Sequence, residues 1–385
     1  MPQRQGPLSG YKVIELAGIG PGPYTGQLLA DYGADVVVVD RPSPDPGPGK
    51  KAIDARGKRS IILDLRNPDG TKALLALVKT ADVLIEGLRP GVTERLGIGP
   101  EQCHAVNPKL VYGRMTGWGQ SGPWSQMAGH DINYISMTGI LNAIGKDGEV
   151  PAVPLNMIGD FGGGSMFLVA GILAALIARE KSGKGDIIDA AIVDGASSLM
   201  SFVYGMHGQK LWQTAREANL LDGGAPFYRC YKTSDDKFVA VGCIEPQFFA
   251  AMMKKLPADQ DAYGEQHDRA RWPEQHKMLE DIFSCESRDH WEQTFALTDA
   301  CVTPVLDYVE AASHPANTGR SAHVPVPGWL HPQIAPRLAS QQLAEEFDIP
   351  AKGGNLKDVL TQAGYDDAAI AALLASGGAA ALARG

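Results

Sequence analysis

The chain has 385 residues, 44% of them hydrophobic and 21% charged, which is long enough for two or three domains with a substantial core. Its formal net charge of −9 argues against broad nucleic-acid or anionic-membrane binding, so an anionic ligand would need a local basic patch. Five scattered cysteines without CxxC spacing argue against a zinc site or a disulfide framework and fit a reducing compartment.

The first ten residues, MPQRQGPLSG, lack the apolar core of a signal peptide. YKVIELA (11–17) then reads as a strand, GIGPGP (18–23) as a turn, YTGQLLADYG (24–33) as a helix closed by glycine, and ADVVVVD (34–40) as a buried strand. RPSPDPGPGKK (41–51) is too rich in proline and glycine to be anything but loop. SIILDL (60–65), a helix over 69–79, ADVLIEG (81–87) and LVYGRMTG (110–117) continue the alternation. Strands separated by helices predict parallel βαβ units: an α/β fold with a Rossmann-like layered sheet.

An apolar helix follows near 165–180; its longest apolar run, MFLVAGILAALIA (166–178), falls short of a bilayer span. GDIIDAAIVDGASSLM reads as a strand running into a helix. FYRCYKTSDDKFVAVGCI (227–244) reads as a hairpin turning at Ser234–Lys237, EPQFFAAMMKKL (245–256) as a helix, and 257–315 as several polar helices. The expected organisation is a large parallel-sheet domain over 1–215, a smaller α+β domain over 216–325, and a segment over 326–385 returning to the first. The chain does not end in an SKL-type address, and a soluble, cytoplasmic protein with no membrane or nucleic-acid partner is expected.

The strand, glycine turn, helix and second strand ending in Asp40 invite a dinucleotide reading. The spacing opposes it: Gly18-x-Gly20-x-x-Pro23 lacks the third glycine, and Pro21 and Pro23 remove two amide donors. Arg41 after Asp40 leaves a weak NADP alternative. Charge points elsewhere. Lys50, Lys51, Arg56, Lys58 and Arg59 surround a single acid, Asp54, with Arg41 upstream and Arg89 and Arg95 after another strand end. Basic residues beyond the carboxyl ends of strands suit a small polyanion, although a solvated basic face would look the same.

Three polar residues stand among apolar or glycine-rich neighbours: His130 in AGHDINYIS, Asp160 in NMIGDFGGGSMF, and Glu245 at the end of FVAVGCI. None has metal-ligand spacing to a partner, so no metal site is expected. Alone, Asp160 reads as a helix N-cap and His130 as a satisfied structural histidine. Together, a histidine and a carboxylate facing one site can act as opposed general bases on a carbon acid, and nearby glycines would let amides approach a substrate oxygen.

ELAGIGPGP, GADVV, DRP, LIEGLRPGVTERLG, RMTGWGQSGP, AGHDINYIS, GDFGGGSMF, LDGGAPFY and VGCIEPQF, in this order over residues 7 to about 310, resemble the class III CoA-transferase family, specifically its α-methylacyl-CoA racemase branch. The resemblance implies an isomerase that interconverts (R)- and (S)-2-methylacyl-CoA thioesters without a cofactor, and an interlocked homodimer. It implies that His130 and Asp160 are the two bases and that Glu245 supports the histidine. CoA contacts would fall on Arg41, on Leu63, Asp64, Leu65 and Arg66, on Gly87, Leu88 and Arg89, on Arg95, and on Gly129, Asp131, Ile132, Asn133 and Tyr134. Asp131 would give its backbone amide to the thioester oxygen. The alternative within the family is transfer of CoA between carboxylic acids through a mixed anhydride at Asp160, which needs no histidine at position 130.

Overall fold

The Val-, Ile- and Leu-rich segments of the first half pair as one sheet in the computed structural model, which describes residues 5–43, 53–259, 263–326 and 329–381. By compactness the chain forms two units. The first is Met1–Thr138, Leu155–Leu199 and Ser321–Gly385; the second is Gly139–Pro154 and Met200–Arg320.

The first unit is built from β1 (Lys12–Leu16), α1 (Pro21–Asp31), β2 (Asp35–Asp40), β3 (Arg59–Ile62), α2 (Pro68–Val78), β4 (Val83–Glu86), α3 (Val92–Arg95), α4 (Pro100–Val106), β5 (Val111–Thr116), α5 (Asp131–Met137), α6 (Met166–Ser182), β6 (Ile187–Ala191) and α7 (Ile192–Leu199). Its six strands are all parallel, in the order β3-β2-β1-β4-β5-β6. The order reverses between β1 and β4, and in open α/β sheets the crevice beyond the strand ends at such a point receives the ligand. Local chemistry sets the helix limits. Asn67 caps α2 through the Asp69 amide with Pro68 at the first position, and Gly183, at φ 68°, closes α6.

Two apolar clusters form the unit's core. One gathers Ile14, Val37, Ile61, Leu74, Leu84 and Tyr112, and the C-terminal helices Leu356–Gln362 and Asp367–Ala375 add Leu356, Val359, Leu360, Ile370 and Leu373 to it. The other gathers Val13, Leu29, Val36, Ile85 and Val111 with Leu168, Ile172 and Leu176 of α6. The C-terminal segment is tied back further by an antiparallel bridge between Leu63 and Ala379.

Two expectations change here. The apolar helix is longer than its core run: a π-helical stretch, Met157–Ser165, leads directly into α6. Met157–Ser182 has 26 residues and a mean hydropathy of 2.0, enough to cross a membrane by length and composition alone, yet Leu168, Val169, Ile172, Ala175 and Leu176 are buried against the sheet. The basic cluster also dissolves as a unit. Arg56 pairs with Asp31 at 2.5 Å and lies 4.0 Å over the Phe347 ring; Lys58 pairs with Glu15 at 2.7 Å; Arg59 pairs with Asp35 at 2.5 Å. The first two pairs are buried, and burial pushes the Glu15 carboxyl up to about 7 despite Lys58 beside it. These three cations serve the fold and are neither a solvated face nor a ligand patch. Lys50, Lys51 and most of the loop 41–51 lie outside the described residues.

The second unit holds α8 (Ser201–Gly208), β7 (Tyr228–Lys232), β8 (Phe238–Gly242), α9 (Pro246–Met253), α10 (Trp272–Phe283), α11 (Arg288–Phe295) and β9 (Val302–Pro304). The hairpin is present, with Thr233 N–H donating to the Lys237 carbonyl across its turn, and β9 adds an antiparallel third strand. Phe227, Tyr231, Val239, Val241, Leu279, Phe283 and Trp291 form its core.

Candidate active site

In the first unit, the chain after β4 and β5 supplies the walls of a cleft of about 320 Å³, lined by Gly87, Leu88, Arg89, Thr116, Trp118, His130 and Tyr134 among others. Its wall after β4 borders the crevice between β1 and β4, where the sheet order places a ligand. Leu88 is held there by Glu86, whose carboxylate accepts the Leu88 N–H at 2.7 Å and the Arg114 Nε–H at 2.9 Å. Arg114 also reaches Glu94 of α3 at 2.8 Å. The buried Glu86–Arg114 pair therefore fixes the loop that carries Arg89, a role without a spacing signature in the sequence.

His130 is the residue before α5. Asn133 Oδ1 accepts its N–H at 3.1 Å, and its carbonyl accepts the Asn133 N–H at 2.8 Å, which fixes the backbone while the side chain stays exposed. Tyr134 donates its hydroxyl to the Gly129 carbonyl at 2.5 Å and packs edge-on against Trp118 with centroids 4.9 Å apart. A Cβ at Gly117 or Gly129 would come within 2.1 or 2.7 Å of that ring. These two glycines make room for the Tyr134 ring.

Asp160 lies inside the π-helical stretch and is not the N-cap of α6, a place taken by Ser165. Single-turn π-helical insertions gather at functional sites. The stretch packs tightly on α7: a Cβ at Gly163 would lie 2.6 Å from the Ala196 nitrogen, and one at Gly195 only 1.8 Å from the Gly163 carbonyl oxygen. The Asp160 N–H donates to Asp131 Oδ2 at 2.7 Å, and Asn156 Nδ2 donates to Asp160 Oδ2 at 3.3 Å. That oxygen would also be 3.2 Å from a Cβ at Gly20, the residue capping α1, so the carboxylate sits at the positive end of an 11-residue helix. Burial raises the Asp160 carboxyl above the ordinary range; Asp131 adds to the rise, while Asn156 and His130 oppose it. His130 and Asp160 thus share one electrostatic environment, linked through Asp131.

The remaining expected contacts divide by exposure. Arg41, Arg66, Arg89 and Arg95 are exposed, and Arg41, Arg89 and Arg95 have no ion pair among the described residues. Asp64 is half-buried, Leu65 packs against the core, and Leu63 is only 1% exposed, with its N–H donating to the Asp40 carbonyl, which leaves a ligand almost nothing of it to touch. Ile132 and Asn133 are exposed and Asp131 is buried. Glu245 lies in the second unit, exposed at the start of α9, where its carbonyl accepts the Phe248 and Phe249 amides.

Residues 8–352 match the sequence model of CoA-transferase family III. The chain is 43% identical over 365 residues to the alpha-methylacyl-CoA racemase of Mus musculus, covering 94% of this chain and 95% of that one. It is 31% identical to the acetyl-CoA:oxalate CoA-transferase of Acetobacter aceti, over 85% of this chain and 88% of the other. Among solved structures it resembles a CAIB/BAIF family protein from Brucella suis, with a TM-score of 0.81, 25% identity, and coverage of 94% and 100% of the two chains.

Proposed function

The chain belongs to CoA-transferase family III, and from that membership we propose that it is an isomerase, a racemase interconverting (R)- and (S)-2-methylacyl-CoA thioesters by 1,1-proton transfer. The observation that carries the reading is the likeness to the mouse racemase over nearly the full length of both chains. His130 lines the cleft of the first unit, and Asp160, which does not line it, is joined to the residue after His130 by its N–H to the Asp131 carboxylate; a histidine and a carboxylate so connected suit that chemistry.

The thioester acidifies its α-carbon only mildly, so the enolate formed on proton removal needs an amide donor. The Asp131 amide suits this: as the first residue of α5 it has no intrahelical acceptor, and its own carboxylate is turned toward Asp160. His130, in its neutral form, removes the α-proton of the (S)-epimer, and Asp160 protonates the opposite face; the reverse direction exchanges the roles. Glu245 is proposed to support His130. CoA is the substrate's carrier and no separate cofactor is invoked. Incubating one epimer of a 2-methylacyl-CoA in D2O with acetate present tests the reading. Deuterium at the α-carbon with loss of configuration is expected. CoA passing to acetate with no exchange would favour the transferase alternative, in which the Asp160 carboxylate attacks the thioester.

Asp160 must be ionised to accept a proton, and its pKa lies above the ordinary value of 3.8. Activity on the (R)-epimer is therefore expected to fall with falling pH through a limb above 3.8; a kcat/KM profile flat down to that pH would contradict it. We further propose that the exposed Arg89 and its neighbours hold the CoA phosphates. Arg89→Ala should raise KM about tenfold, the size of a lost charge-assisted hydrogen bond, while Arg59→Gln should leave it within about twofold. The proposed assembly is an interlocked homodimer. It is supported by α6, which presents Met166, Phe167 and Ile177 to solvent. Light scattering that reads one chain mass would contradict it.

A further inference from the structure

We propose that the Asp131 carboxylate is a positioning residue for Asp160, holding the acid's backbone in place for proton transfer through the Asp160 amide. The inference rests on the racemase reading above and deepens it.

Four observations carry it. Asp131 Oδ2 accepts the Asp160 N–H at 2.7 Å, joining the start of α5 to the π-helical stretch across 29 positions of sequence. Asp131 is 5% exposed, so the contact is shielded from solvent. Its Oδ1 is buried with no hydrogen-bond partner among the described residues, so the Asp160 amide is the contact that orients the carboxylate. Position 159 is glycine, and a Cβ there would lie 2.5 Å from Asp131 Oδ2; the contact exists only because that side chain is missing. A π-helical stretch with four glycines in nine residues has little stiffness of its own, so an anchor at the reacting residue matters more here than in a regular helix.

The charge has a consequence for acidity. The groups acting on Asp160 are Asp131 and His130 at the start of α5 and Asn156 beside the stretch itself. Tyr134 of α5 senses Asp160 in turn. Of the other elements packed on the stretch, α1 brings Tyr24, whose ring meets Phe161. Further titratable groups are the exposed Asp194 of α7, Asp189 of β6, which accepts the Gln120 amide, and Arg114 of β5, held by Glu86 and Glu94. Among the described residues Asp131 is the carboxylate that acts to raise the Asp160 pKa, so neutralising it should lower that pKa.

The test compares Asp131→Ala, Asp131→Asn and Gly159→Ala with wild type, each checked for folding by circular dichroism and assayed for racemisation against pH. Asp131→Ala is expected to lower kcat about 10²-fold, as a misplacement of about 1 Å does, with KM for the acyl-CoA within about threefold. Asp131→Asn keeps an oxygen acceptor without the charge. It should keep kcat within about tenfold of wild type and move the acid limb to lower pH, a shift that a merely structural role would not produce. Gly159→Ala should lower kcat as Asp131→Ala does, and it decides the matter with Asp131→Asn if Asp131→Ala fails to fold. Asp131→Ala with near wild-type kcat, or an unmoved acid limb in Asp131→Asn, overturns the inference. A wild-type enzyme that exchanges no α-hydrogen overturns the racemase reading itself, so the two failures are separable.

Discussion

Replacing His130 by alanine is expected to lower racemisation about 10³-fold, roughly 4 kcal/mol of transition-state stabilisation, with acyl-CoA affinity changed little. The size follows from what is lost: one of two proton-transfer groups, each worth 10²- to 10⁴-fold in general acid–base catalysis, roughly. Affinity should survive because the cleft's other walls do not depend on the imidazole. Asn133 holds the backbone at position 130, Tyr134 is fixed on the Gly129 carbonyl, and Arg89 stands on a separate loop. The residual activity should be one-sided. Asp160 still faces the α-hydrogen of the (R)-epimer, so that epimer should go on exchanging with solvent deuterium while the (S)-epimer does not. NMR of the two epimers, incubated separately in D2O, reads this directly. Equal exchange from both, at near wild-type rate, would remove His130 from the mechanism.

Asp160→Asn should lose at least as much, about 10³- to 10⁴-fold, and leave the opposite asymmetry. The amide keeps the carboxylate's shape, and the contact from the Asp160 N–H to Asp131 is a backbone one, so the π-helical stretch should stay in place. Only the proton acceptor disappears. The (S)-epimer should still lose its α-hydrogen to His130, while the (R)-epimer becomes inert. The same variant also probes the transferase alternative. An asparagine cannot form the mixed anhydride, so wild-type CoA transfer to acetate that vanishes in Asp160→Asn, with no α-exchange in either protein, would favour that route.

Much of the parallel sheet was legible because its strands are short apolar runs bounded by glycine and by helical spacing, as in ADVVVVD and ADVLIEG. The roles of Arg56, Lys58 and Arg59 were not. Their partners Asp31, Glu15 and Asp35 lie 25, 43 and 24 positions earlier, and a count of charges along the chain says nothing of which face each one takes. The π-helical stretch hid for a different reason. MIGDFGGGS is apolar and glycine-rich, so it fits the approach to a helix, and no periodicity template separates a π-helical turn from a loop. Strand β9 and helix α3, with three and four residues, are too short to show a period. In the site, AGHDINYIS was conspicuous for its adjacent His130 and Asp131, and the structure separates their tasks. The histidine side chain is exposed, whereas the aspartate is buried and bound to the amide of Asp160.

If two opposed bases share the proton transfer, the isotope content of both epimers early in the reaction reveals it. Wild-type enzyme is given a single protiated epimer in D2O and stopped at low conversion. The product epimer is expected to carry deuterium at the α-carbon, delivered by the second base, while the recovered substrate keeps its protium. Deuterium appearing equally in substrate and product from the start would mean that one base serves both faces, and would remove the pairing of His130 with Asp160.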